Sequence, residues 1–181
     1  MSFEAGVPVA LDGVKMGPVK LVEKLDLIGG KHGFGRVDMV ENRLVGIKSR
    51  ETYEVAGSLA LITAHREIED LCFTRELAHF KTGIDQKLTE LIYEGLWFSP
   101  LAYALRAFVS ETQKYITGDV RLQYYKGNCK PVGRRSPYSL YDTKLATYGS
   151  GDTFSHESAK GFIQLWGLPV EVYARVHKGE K

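Results

Sequence analysis

The sequence predicts an α+β domain built of mixed helices and antiparallel hairpins. Three observations carry that expectation. Short strand-like runs come in pairs joined by turn residues, three helical patterns follow one another between residues 55 and 112, and after Thr117-Gly118 the hydrophobic period returns to two. One domain spanning residues 1–181 is expected, with no internal repeat, low-complexity tract or second domain.

Val7 to Leu11 alternates as a short strand and stops at Asp12-Gly13, a turn pair. Pro18 to Ile28 sets Val19, Val22, Leu25, Leu27 and Ile28 mainly along one side of a helix. Pro18 suits its first turn, and Gly29-Gly30 is expected to end it. Val37 and Met39, then Leu44, Val45 and Ile47, predict two short strands joined near Glu41-Asn42-Arg43. Residues 55–70, with Leu59, Leu61 and Ile62, predict a helix. Thr74 is placed to cap another, running through Leu77, Phe80, Ile84, Leu88, Leu91 and Ile92 to Gly95. Ser99-Pro100 opens a third, whose Leu101, Ala104, Leu105, Phe108 and Val109 are expected to form a core stripe.

Val120, Leu122 and Tyr124 then alternate with Arg121, Gln123 and Tyr125. Lys126-Gly127-Asn128 turns the chain, and Cys129 to Arg134 returns as the partner strand. Gly149 to Asp152 reads as a loop, and Phe162 to Trp166 and Val170 to Val176 read as late strands, with Pro169 breaking or edging the pair.

At 181 residues the chain is long enough to bury a sizeable core. A formal net charge of +2 supplies no bulk attraction to nucleic acid or membranes, and no apolar run approaches the length needed to span a bilayer. Arg134-Arg135 beside Tyr138 and Tyr141 is weak evidence for a nucleic-acid surface, and a structural or subunit-contact role is preferred. Cys72 and Cys129 are isolated, so two buried thiols in a reduced cytoplasmic protein are expected. The five histidines are scattered without a metal-ligand spacing. The glycine-rich link Gly29 to Arg36 lacks the Gly-x-x-x-x-Gly-Lys-Ser/Thr pattern, and Gly33-x-Gly35 lacks the third glycine of a dinucleotide fingerprint. It reads as a helix-to-strand connection.

The densest chemistry lies between Gly35 and Glu54, where charges of both signs are interleaved with apolar residues at strand spacing. A charged turn on an anchored hairpin can hold carboxylate and guanidinium groups where a zwitterionic ligand needs them; the plainer reading is a solvated hairpin. This stretch, Gly-Arg-x-Asp-x-Val-Glu-Asn-Arg followed by Gly-x-Lys-Ser-Arg and Tyr-Glu, resembles argininosuccinate synthase. Further matches follow in order: Leu91 to Pro100, Thr117-Gly118, Gly133 to Pro137, Ser139 to Tyr141, Leu145 to Tyr148 and Ala159 to Ile163. The resemblance therefore covers nearly the whole chain, starting at Phe3 to Val9, and implies the synthetase/multimerisation type of α+β domain.

By that resemblance Glu41 and Tyr53 bind citrulline, a carboxylate accepting from the substrate ammonium and a phenol donating or accepting. Arg43, Lys48, Ser49 and Arg50 are expected to support them, orienting the hairpin or pairing with Asp38, Glu51 or Glu54. Glu51 stands where the family frequently has Gly, and Val55-Ala56 where Thr-Pro is frequent, which removes a helix-start signal.

The resemblance implies an ATP-dependent ligase of arginine biosynthesis that condenses citrulline with aspartate and releases AMP and pyrophosphate, with ATP and magnesium serving the complete enzyme. These residues contain no Ser-Gly-Gly-x-Asp phosphate loop. The chain is therefore expected to be a C-terminal portion with no cofactor of its own, inactive by itself, and self-associating, the family being generally tetrameric. Trp166 and Leu168 are candidates for the contact. A separately encoded module complemented by an ATP-binding partner is the alternative.

Overall fold

The computed structural model describes residues 1–145 and 155–178, and the expected loop Gly149 to Asp152 lies outside them. Two compact units are present, Met1–Tyr141 and Asp142–Lys181. The architecture is α+β, as the period changes predicted.

In the first unit, β1 (Ser2–Glu4), β2 (Val7–Leu11), β3 (Val14–Lys15), β6 (Gly118–Tyr125) and β7 (Asn128–Arg135) form an antiparallel sheet in the order β3-β2-β1-β6-β7. Helices α1 (Pro18–Lys31) and α2 (Ala56–Cys72) pack on each other, and α2 also lies on β6 and β7. Two apolar clusters result: Phe3, Ala64, Ile68, Ile116 and Val120 in one, and Leu11, Leu21, Leu25 and Ala60 in the other. Removing a side chain such as Leu21, Ile68 or Phe3 from water contributes about 1.5–3 kcal/mol each. The small residues Ala56, Gly57, Ala60 and Ala64 let α1 and the sheet approach the α2 backbone closely.

Helix α1 does not stop at Gly29-Gly30 but continues to Lys31, and Gly33 turns the chain at φ +69°. Gly29 is there for approach: a Cβ on it would stand 2.5 Å from the Ala56 Cβ. Helix α2 begins at Val55-Ala56 with no side-chain cap of its own. The missing signal is supplied across the fold, where Asp26 of α1 accepts the Gly57 backbone N–H at 2.6 Å.

Helix α3 (Arg75–Tyr93) is capped by Thr74 and α4 (Pro100–Thr112) by Ser99, each side chain accepting from the third residue beyond it. The expected core stripe of α4 is not buried. Ala102 alone of that helix is, while Leu101 and Ala104 are exposed, because α4 packs mainly against α3, with Phe80 and Phe108 meeting edge to face. Lys81 of α3, 5% exposed, reaches Glu69 of α2 at 3.2 Å and Asp85 at 2.6 Å.

In the second unit, residues 162–176 are not strands. They belong to one helix, α5 (His156–Val176), with Pro169 inside it. The stacked Phe162 and Trp166 rings stand four residues apart on its surface. No helix among the described residues is long and apolar enough to cross a membrane.

Candidate functional site

Strands β4 (Arg36–Asn42) and β5 (Lys48–Glu54) form a separate two-stranded ribbon leaving the body between α1 and α2. The turn falls later than the apolar pattern predicted. Leu44, Val45 and Ile47 belong to it rather than to the second strand, and are 70%, 80% and 63% exposed. Arg43 and Ile47 close the loop through a backbone bond of 2.9 Å, so the charged run 48–54 becomes the return strand.

Register then sorts the charges. Val37 lies opposite Tyr53, Met39 opposite Glu51 and Glu41 opposite Ser49. Because successive side chains alternate, these six share one face, and Arg36, Asp38, Val40, Asn42, Lys48, Arg50, Thr52 and Glu54 share the other. The second face is a ladder of solvated pairs. Arg50 grips Asp38 through two bonds of 2.9 and 2.5 Å, Lys48 donates to Asn42 at 2.5 Å, and Arg36 meets Glu54 at 3.3 Å. The Arg50 contact holds the Asp38 carboxyl below its ordinary range. Such exposed pairs contribute little to stability.

The first face holds the candidate site. Tyr53 donates its phenolic proton to Glu41 Oε1, although four residues of strand separate Glu41 from the position opposite Tyr53. At about 3.3 Å per residue, the two side chains must lean toward each other along the ribbon. The Glu41 side chain is only 11% exposed. Arg43 folds back over this face: Nε donates to Ser49 Oγ at 2.8 Å, Nη2 meets Glu51 at 2.5 Å, and Nη1 stands 3.6 Å from Glu41 Oε2. The hydrogen bond to Glu41 raises the Tyr53 phenol above its ordinary value, with burial and the Glu41 and Glu51 charges acting the same way. Arg43 is held protonated first by its bond to Glu51, and the Tyr93 phenol at the end of α3 lies within its electrostatic range.

Of the expected site residues, Glu41, Arg43, Ser49 and Tyr53 come together, whereas Lys48 and Arg50 stand on the opposite face. Glu51 pairs with Arg43 and Asp38 with Arg50, as expected, whereas Tyr93 was not anticipated. The parity that Glu51 shares with Ser49 and Tyr53 puts it on the Glu41 face. For Tyr93 there was no signal, because it lies on α3, far from the hairpin in sequence. Arg134 and Arg135, noted for a basic surface, are paired with Glu67 at 2.7 Å and Asp119 at 2.8 Å.

The fold and this face define an α+β domain carrying a charged two-stranded ribbon, on which a carboxylate, a phenol and a guanidinium are brought together. The chain belongs to the arginosuccinate synthase C-terminal domain family, whose model matches residues 1–173. It is 59% identical over 181 residues to an argininosuccinate synthase of Bacillus velezensis, covering 100% of this chain and 45% of the relative. With an argininosuccinate synthase of Synechococcus sp. it shares 56% over 179 residues, 99% of this chain and 45% of the relative. With that of Bacillus mycoides it shares 57% over 178 residues, 98% and 44%. The chain thus spans less than half the length of the curated relatives it matches.

Proposed function

We propose that this chain supplies the citrulline-binding and assembly portion of an argininosuccinate synthase, a ligase that condenses citrulline with aspartate at the expense of ATP. The Tyr53–Glu41 contact on the half-covered hairpin face carries the reading. An ammonium group can bond the Glu41 oxygens that Tyr53 and Arg43 leave free, while the Tyr53 oxygen, having donated its proton, still accepts. With Tyr53 bonded to Oε1 and Arg43 standing 3.6 Å from Oε2, Glu41 is oriented before the ligand arrives. These residues bind and orient citrulline; the nucleophile toward ATP is the citrulline ureido oxygen itself. ATP, with magnesium, would activate that oxygen as a leaving group, and nothing in the described site is assigned to hold either. By themselves these 181 residues are expected to form no argininosuccinate.

Assembly is assigned to self-association through α5, which has no buried residue and exposes Phe162, Ile163, Leu165, Trp166, Val170 and Tyr173. The synthetase/multimerisation domain is taken to extend over the whole chain.

The test is a titration of the full chain with citrulline, followed through tyrosine ring resonances assigned with Tyr53→Phe. Binding is expected in the millimolar range, about 4 kcal/mol or less. No change in the Tyr53 signal up to about 10 mM, a range that still detects weak association, would sink the assignment of Glu41 and Tyr53. Sedimentation of the chain and of Trp166→Glu tests assembly: a monomeric parent chain would exclude it.

A further inference from the structure

The sheet of the first unit is open along part of β6. Strand β7 pairs with β6 from Asp119 to Tyr125, whereas β1 reaches only Gly118 and Asp119 before Met1 completes the contact. Met1 and Val120 exchange both backbone bonds, at 2.8 and 2.9 Å. Exchanging pairs recur at every second residue of an antiparallel ladder, so the N–H and C=O groups of Leu122 and Tyr124 face the β1 side as well. No strand among the described residues lies beside them there. A cavity of about 650 Å³ opens instead. Its lining takes Leu122 and Tyr124 from one face of β6 and Asp119 and Arg121 from the other, as happens where a sheet is open in its own plane. Leu25 and Ile28 of α1 form its floor. The slot ends where His32 stacks on Tyr124, ring centroids 6.0 Å apart. From Arg121 to Tyr124 it accommodates four residues, roughly 13 Å of strand.

We propose that this slot is a strand-docking site, in which an extended peptide segment of a partner pairs antiparallel with β6 and continues the ladder beyond Met1. The register follows from Met1 opposite Val120. Residues opposite Leu122 and Tyr124 point toward Leu25 and Ile28 and must be apolar, because Leu25 is 1% exposed and a charge beside it would be stripped of water. Those opposite Arg121 and Gln123 point to solvent. Arg121 is exposed and pairs with no described carboxylate, so an acidic residue suits the position opposite it. Read from its N-terminus, the fitting segment is therefore apolar, polar, apolar, acidic, with its C-terminal end toward Met1. Main-chain bonds to Leu122 and Tyr124 supply the affinity, and the alternating side chains supply the selectivity.

The test uses the full 181-residue chain and two acetylated, amidated peptides, Val-Thr-Val-Glu and its out-of-phase isomer Thr-Val-Glu-Val. Amide hydrogen exchange along β6 is followed by NMR. The in-phase peptide at about 10 mM, enough to saturate a millimolar site, is expected to slow exchange at Leu122 and Tyr124 about fivefold. Gln123, whose N–H faces β7, should not change. The out-of-phase peptide should protect neither residue, because it turns polar groups onto Leu25. Arg121→Glu is expected to weaken the in-phase peptide about two- to fivefold, and exchanging the peptide's Glu for Lys should recover that loss. Equal protection by the two peptides, protection by neither, or an unchanged affinity in Arg121→Glu would overturn the proposal. Protection of Leu122 and Tyr124 that rises with chain concentration and needs no peptide would overturn it too, by assigning the slot to a second copy.

Discussion

The Cα of Ala56 lies 2.4 Å from the point that a Cβ on Gly35 would occupy, and Gly35 holds φ +102°. Gly35 is the last residue before β4 and its carbonyl accepts the Val55 N–H at 2.8 Å, so both strands of the site ribbon leave the body through this one contact. A side chain here meets backbone, not a movable neighbour. Gly35→Ala is expected to cost about 2–4 kcal/mol through overpacking and a disfavoured φ together. Gly30→Ala, in α1 with nothing within 4 Å, should be neutral or stabilising by up to about 1 kcal/mol. Urea midpoints of the two variants would test the assignment, which fails if they coincide.

Tyr53→Phe removes one hydroxyl and leaves the ring. The expected result is an unchanged urea midpoint and citrulline binding weakened about tenfold, the effect of one hydrogen bond at a charged acceptor. Glu41→Gln should be more damaging, because the ammonium loses its counter-charge. If Tyr53→Phe binds citrulline as the parent does, the phenol has no part in recognition.

Lys81 is the buried cation joining α3 to α2, and Glu69 beside it is also bonded by Gln113 at 2.8 Å. Lys81→Met takes the ion-pair partner from the Glu69 carboxylate, which is only 12% exposed, and a loss of about 3 kcal/mol is expected. Adding Glu69→Gln should recover part of it, since the carboxylate still left without Lys81 is then Asp85, which water reaches. A double variant less stable than Lys81→Met would contradict this account.

Asp119 ties β6 to β1 and β7: it accepts from Ser2 at 2.6 Å and from Arg135 at 2.8 Å, and both hold its carboxyl below the ordinary value. A carboxyl depressed by folding stabilises at pH above its unfolded value of 3.8 and loses that contribution as pH falls through the folded one. Asp119→Asn should therefore be less stable at pH 7 by about 1 kcal/mol, limited by solvent screening at a partly exposed pair. The gap should close below about pH 4. A gap independent of pH would show that packing, not charge, is responsible.

Local chemistry determined much of this protein from sequence. Pro18, Thr74 and Ser99 open the helices they were expected to open, and Asp12-Gly13 and Lys126-Gly127 turn the hairpins, because capping and turn formation involve only neighbours a few residues away. The ordered motifs from Gly35 to Ile163 sufficed for the family.

What tertiary structure decided is whatever depends on distant partners. Asp26 starts α2 across 31 residues, a relation no local signal encodes. The apolar tip Leu44, Val45 and Ile47 read as strand, yet the charged run pairs instead, and that shift of register decides which charges face each other. Glu51 thereby joins Glu41, while Lys48 and Arg50 turn away. Leu101 was legible as apolar but not as uncovered, and short apolar runs such as Phe162 to Trp166 fit either period. Sequence alone thus names the groups available to the site. Pairing across strands, with its strict two-residue period, determines which of them can act together.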